Sequence, residues 1–332
     1  MSRPAASRPR VLSGIQPTGA GKHLGNYLGA VRHWAAMQQE NDCFFFIADL
    51  HALTVTPEPM QLRERTRKLV AELLAMGVDP DRSALFAQSH VPEHTELAWV
   101  LSCLTGFGEA SRMTQFKDKG SGNVGLFNYP VLQAADILLY QANAVPVGED
   151  QRQHLELTRD LGQRFNARYG PTFTVPDPYV QKSAQRIKDL QDPTAKMSTS
   201  KGGPGVLWVV EDDATTRKKI RSAVTDTGRE VTYDVEGKPG ISNLLTILSV
   251  ATGRSIDELV GDFDGKGYGD FKAGVAEAVL AMFAPMRSRF DELMADPGHL
   301  DSVLSRGAET AREVAVATMD VVRDRIGLLA PA

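Results

Sequence analysis

Between a strand-like run and a helical one lies the segment His23-Leu24-Gly25-Asn26. An imidazole at a helix start can donate to phosphate oxygens, the positive helix end favours anions, and a glycine there lets a ligand approach the backbone. The loop that carries it, Gly14-Ile-Gln-Pro-Thr-Gly-Ala-Gly-Lys-His23, invites comparison with common phosphate motifs. It is not a P-loop, because Gln16 stands at the first glycine position and His23 at that of the required hydroxyl. It is not a dinucleotide fingerprint either, since Leu24 replaces the third glycine. Taken alone, His23 to Asn26 would suit a surface turn equally well. A second polar segment, Lys196-Met197-Ser198-Thr199-Ser200, opens a glycine-rich stretch. A lysine with hydroxyls on a flexible segment can close over a triphosphate and neutralise a leaving pyrophosphate. Alone it would pass for a polar linker. Together the two segments flank one sheet-like region, a spacing that a single active site in a doubly wound fold accommodates.

A third residue stands out by its surroundings. Asp136 is embedded in Ala134, Ala135, Ile137, Leu138 and Leu139, a helix apolar nearly all round, so it is expected to be buried. A buried carboxylate without a donor costs several kcal/mol, so a donor is expected, either an Arg or amide of the protein or a ligand group. Other candidates carry less. His51 follows a buried strand and would border a pocket or serve the packing; His90, His94 and His154 lack metal-like spacing and read as surface or capping residues. Trp34, Trp99 and Trp208 read as packing, and Arg217-Lys218-Lys219 with Arg221 as a solvated helix face.

The elements that must position these residues follow from periodicity. Arg10 to Ile15 reads as a strand, about Asn26 to Gln39 as a helix, and Cys43 to Ile47 as a strand covered on both faces. Leu62 to Leu74 keeps a helical period that Gly77 ends. Ala84 to Gln88 is a strand, Glu93 to Leu104 a helix, Tyr129 to Asn143 an apolar helix, Ala144 to Val147 a strand and Glu149 to Arg168 a helix. This alternation predicts an α/β fold, a doubly wound Rossmann-like parallel sheet. Beyond Lys196 the pattern is helical: a capping-box pair at Ser255 and Glu258, one long helix from Phe271 to Leu293 and another from Leu300 to Val322. The expected organisation is a disordered leader over 1–10, a catalytic domain over 11–197, a mobile closing loop and hinge over 198–205, and a smaller all-helical domain over 206–332, whose last helix can pack back on the sheet domain.

Bulk properties set the frame. The 332 residues are 42% hydrophobic and 23% charged, with net charge −4 and mean hydropathy −0.22, an ordinary globular composition. Any nucleic-acid partner would have to be held by local basic patches. With only Cys43 and Cys103 there is no disulfide framework and no cysteine zinc site. No run approaches a membrane span, and a cytoplasmic location is expected.

The pair His23-Leu-Gly-Asn26 and Lys196-Met-Ser-Thr-Ser200 resembles the paired signatures of class I aminoacyl-tRNA synthetases. Ser13 to Gly19, Met113 to Lys117, Ala134 to Tyr140, Val145 to Gln151, Ser222 to Asp226 and Pro239 to Leu245 look like the bacterial-type tryptophanyl branch. The resemblance implies ATP and tryptophan as substrates, Mg²⁺ arriving with ATP and no dedicated protein metal site, tRNA(Trp) read by the helical domain, and a homodimer. It implies ATP contacts from Gln16, Pro17, Thr18, Gly25 and Asn26, with His23 near the phosphates. Gly148, Glu149 and Asp150 would hold the ribose side and Ile187 the adenine. Lys196, Met197, Ser198, Thr199 and Ser200 would form the closing loop, with Lys117 reaching the phosphates from another side. Asp136 would accept the indole N–H, while Tyr129 and Gln151 bind the ammonium in a pocket bordered by Val145, Val147 and His51. Two positions depart from the pattern. Thr199 replaces a lysine, for which Lys201 could compensate, and Gln133 replaces a methionine beside the ammonium. A tyrosyl-tRNA synthetase, a small-molecule adenylyltransferase and an inactive regulatory paralogue are the competing expectations.

Overall fold

A computed structural model describes residues 8–17, 19, 21–113, 123–146, 151–179, 187–198 and 202–329, with the side chains of 178 and 179 excepted. Five parallel strands form one sheet: β1 (Arg10–Ile15), β2 (Asp42–Ile47), β3 (Ser83–Ala87), β4 (Ala144–Pro146) and β5 (Asp177–Tyr179), in the order β3-β2-β1-β4-β5. Register is continuous at the centre, with Val11 opposite Cys43 and Cys43 opposite Ser83. The unbroken apolar run of β2 is explained by its position. Phe44 and Phe46 enter the core on one face, while Cys43, Phe45 and Ile47 enter the core on the other. Successive strand side chains point to opposite faces, so only a sheet covered on both sides needs every position apolar.

On the face of Cys43, Phe45 and Ile47 lie α1 (Leu24–Asn26), a π-helical turn (Tyr27–Val31), α2 (Arg32–Met37) and α4 (Pro59–Ala75); Trp34 stacks on Phe45 with ring centroids 4.4 Å apart. A short helix α3 (Asp49–Ala52) follows β2. The other face is covered by α5 (Glu93–Ser102), α6 (Phe107–Ala110), α7 (Val124–Leu139) and α8 (Arg152–Tyr169). The remaining helices are α9 (Asp213–Arg221), α10 (Pro239–Thr252), α11 (Ile256–Asp262), α12 (Tyr268–Met294) and α13 (Pro297–Ile326). Ser255 caps α11 with the expected capping box.

The structure revises several sequence expectations. Arg10, placed both in the leader and at the start of the first strand, opens β1 as the strand reading expected: its guanidinium bonds Asp42 and the Tyr140 carbonyl, each at 2.9 Å. The helix carrying Asp136 begins at Val124 with Asn123 as its cap, not at Tyr129, and accommodates Pro130 in its interior. It ends at Leu139, where the expectation ran to Asn143. Trp99 does not pack but is 72% exposed. His94 and His154 are buried, whereas His90 is exposed. Strand β5 carried no recognisable sequence signal.

Helix α13 does more than close the chain. It lies across β3 and touches α4, α5 and α7, so the C-terminal helix is part of the layer that covers the sheet. Arg323 forms a paired hydrogen bond with Glu96 of α5 at 2.8 and 2.6 Å, and Arg312 reaches Glu93 at 3.4 Å. The approach is close because residue 307 is glycine: a Cβ there would collide with the backbone of Leu85 in β3. Gly307→Ala is therefore expected to destabilise the protein by ~1–3 kcal/mol through overpacking. Urea unfolding should show a lower midpoint with an unchanged slope.

Candidate active site

The strand order reverses between β1 and β4, the place in a doubly wound sheet where helices diverge to opposite faces and leave a crevice at the strand ends. A cavity of about 480 Å³ opens there. Ser13 and Gly14 of β1, Val145 and Pro146 of β4, and Tyr129, Gln133, Asp136 and Ile137 of α7 line it, with Gln16, His51, Phe46 and Gln151. Of the residues predicted for an amino-acid pocket, Asp136, Tyr129, Gln133, Gln151, Val145 and His51 all meet in this one cavity. Val147 lies outside the described residues.

Asp136 is 1% exposed and sits at the junction of three side chains. His51 Nε2 lies 2.9 Å from Oδ2, His94 Nδ1 2.6 Å from Oδ1, and Gln88 donates its amide to Oδ1 at 2.7 Å. Burial alone would push this carboxyl upward, yet the hydrogen bonds and electrostatic pull of His51 and His94 outweigh it and hold the carboxyl down at about 2. Asp136 is thus a fixed anion in a pocket lined by both apolar and polar side chains. The sequence called for a donor but did not identify Gln88 or His94, which come from the end of β3 and the start of α5. Tyr140, four residues after Asp136 and just past the end of α7, bonds His94 Nε2 at 2.8 Å.

At the cavity's other wall the Tyr129 hydroxyl lies 2.5 Å from His154 Nε2, and burial raises that phenol to about 12, so it remains a donor. Gln133 donates to Gln151 Oε1 at 3.2 Å. The residue that departs from the family pattern therefore ties together two elements of the predicted ammonium site.

His23 caps α1. Its Nδ1 accepts from the Asn26 backbone N–H, and the Asn26 side chain accepts from the His23 N–H, each at 3.2 Å. A Cβ on Gly25 would stand 3.0 Å from the imidazole, so the glycine also makes room for the ring itself. Burial, then the charges of Lys196 and Lys22, lower His23 to about 4. The ring is consequently neutral near pH 7, with Nδ1 occupied as acceptor and Nε2–H left as the donor, the form suited to a phosphate oxygen. The Lys196 charge thus acts on His23, and backbone contacts tie the two regions together. His23 also pairs with Trp208, and Leu24 N–H bonds the Leu207 carbonyl at 2.9 Å, so the chain following the second signature is stitched to the first. Ile187 and Met197 are 2% and 0% exposed, their side chains in the core, and the Met197 N–H bonds the Ile187 carbonyl at 3.2 Å. Pro17 is buried, Ser198 is half-buried, and Lys22 lies against the buried Glu72. Thr18, Lys117, Gly148, Glu149, Asp150, Thr199, Ser200 and Lys201 lie outside the described residues.

A histidine held below its unfolded value binds its proton more weakly in the folded state. Its contribution to stability is complete above pH ~6.5 and lost as pH falls toward about 4. His23→Asn, which keeps a capping side chain, is expected to flatten the decline of unfolding free energy between pH 6.5 and 4.5. Denaturant titrations across that range check it; an unchanged slope would show that His23 titrates normally.

Comparison with known proteins places this arrangement in a family. The model of tRNA synthetases class I (W and Y) matches residues 5–284. Tryptophan--tRNA ligase 2 of Streptomyces avermitilis is 58% identical, the match covering 98% of this chain and 98% of that one. The tryptophan--tRNA ligase of Corynebacterium glutamicum is 56% identical, covering 98% and 96%. A crystal structure of tryptophanyl-tRNA synthetase from Campylobacter jejuni, complexed with ADP and tryptophan, superposes with TM-score 0.87 at 37% identity, over 96% of this chain and 100% of that one. With its signatures joined beside a crevice at the switch point of a parallel sheet, the chain belongs to the class I tRNA synthetases of the tryptophan and tyrosine group.

Proposed function

We propose that the chain is a tryptophan--tRNA ligase: it joins tryptophan to ATP as tryptophanyl-adenylate, releasing pyrophosphate, and then esterifies tRNA(Trp). The observation that carries this reading is the buried anion Asp136 at the end of the cavity. Indole offers one N–H donor and no acceptor, so a carboxylate is its natural partner. Tyr129, Gln133 and Gln151 would receive the ammonium, and Val145 with Ile137 the ring faces. The substrate carboxylate would then point toward His23 and Lys196, where the α-phosphate must lie for attack.

No protein nucleophile is required. Catalysis is positioning plus charge stabilisation: neutral His23 donates to phosphate, and Lys196 offsets charge that develops as pyrophosphate leaves. In this reading Mg²⁺ enters on the ATP phosphates, and Gln16, Pro17, Thr18, Gly25, Asn26, Gly148, Glu149, Asp150 and Ile187 hold the nucleotide. Lys117 and the Met197 to Lys201 segment act on its phosphates. The helices from residue 206 onward read the anticodon. No described helix is long and apolar enough to cross a membrane. A cytoplasmic location is part of this reading.

The exchange of ATP with pyrophosphate, run with each of the twenty amino acids, is expected to favour tryptophan over tyrosine and phenylalanine by ~10⁴ or more. Comparable rates for tyrosine would overturn the assignment.

A homodimer is part of the proposal, and one surface supports it. Trp99, Phe107 and Val124 are 72%, 79% and 81% exposed, on α5, α6 and the start of α7, helices that pack on one another. The Phe107 ring stacks on Phe127 at 5.2 Å. Large exposed apolar side chains on helices that pack together are what an interface would cover. Trp99→Asp is expected to shift sedimentation from dimer toward monomer by at least tenfold in dissociation constant.

A further inference from the structure

The anion bordering the cavity is itself held by Gln88, His94 and Tyr140, residues that do not line it. The Tyr140 hydroxyl lies 2.8 Å from His94 Nε2 and holds the ring in place. An ionised carboxylate can only accept, so His94 donates its Nδ1–H to Asp136 Oδ1 at 2.6 Å. Gln88 gives the same oxygen its amide N–H at 2.7 Å; the opposite orientation would set amide oxygen against carboxylate. That choice leaves Gln88 Oε1 buried with no partner among the described residues. An orphaned acceptor at 0% exposure is tolerated only where the amide does something worth more than its own satisfaction.

The three donors are unequally placed. Oδ1 receives two, from His94 and Gln88, and is saturated; Oδ2 receives one, from His51. A carboxylate offers about four lone-pair positions, so one remains, on Oδ2, and Asp136 borders the cavity. We infer that Gln88 and the Tyr140–His94 pair are positioning residues that lock the Asp136 carboxylate, leaving a single acceptor direction aimed at a ligand N–H and so setting the selectivity of the pocket. The inference rests on the reading that Asp136 accepts the indole N–H. None of the three residues lines the cavity, so any effect on ligand choice must travel through Asp136.

The test pairs tryptophan with 3-(1-benzothiophen-3-yl)alanine, in which sulfur replaces the indole N–H with little change of shape. For the parent enzyme kcat/KM in pyrophosphate exchange should favour tryptophan by ~10². His94→Leu and, separately, Gln88→Met should each lower that ratio by about tenfold, whereas His94→Asn, which keeps a donor where Nδ1 stood, should stay within about threefold of the parent. If His94→Leu does not fold, Gln88→Met carries the same measurement. A purely structural role would weaken both amino acids equally and leave the ratio unchanged, which overturns the inference while sparing the Asp136 contact. A parent enzyme indifferent to the N–H overturns both together.

Discussion

A carboxylate can be taken out of water only when its charge is met by donors, because burial unpaired would cost several kcal/mol or force it to take up a proton. Asp136 is 1% exposed and yet held far on the ionised side. The surrounding architecture can be understood as what that requires. His51 arrives from the helix after β2, Gln88 from the turn after β3, and His94 from α5, so three segments distant in sequence converge on one helix position. The phenyl rings of Phe46 and Phe86 pack beside His94 and exclude water from the junction. Low local polarity strengthens each of these hydrogen bonds and makes each correspondingly costly to remove.

The second constraint is the sheet. With β1 central and the order reversing toward β4, the strand ends open a crevice without any insertion being needed to build one. The cavity is bordered by α7, which covers one face of the sheet, and His23 starts α1 on the other face. In the proposed reading, one surface between them would border both an acceptor for an apolar ring with a single N–H and donors for phosphate. Acyl activation needs little more from a protein, since the nucleophile and the leaving group both belong to the substrates.

The C-terminal helix links these parts mechanically. By bracing Glu93 and Glu96, which flank His94 in sequence, Arg312 and Arg323 of α13 fix the helix that supplies a donor to Asp136. Surface ion pairs contribute modestly on their own. Here the paired Arg323–Glu96 contact adds to the close seating of Gly307 on β3, and the two together set where α5 stands.

Much of this was legible in the residues alone. Strand β1 begins and ends where it was expected, the continuous apolar stretch of β2 announced a doubly covered strand, and the capping box at Ser255 follows from side chains three residues apart. Asp136 could be assigned to the interior because its own helical neighbours are apolar. Such inferences succeed because they concern an element's own periodicity, which local sequence encodes. Pro130 and Gly125 obscured the true start of α7, since both normally break helices and only tertiary packing overrides them. Which residues would satisfy Asp136 was not legible, and His94 and His154 were misjudged as surface groups. The exposure of Trp99 was hidden for the same reason. A side chain's partners across the sheet depend on where distant segments meet, and that is decided by the packing of whole helices on the two faces, not by the pattern within any one of them.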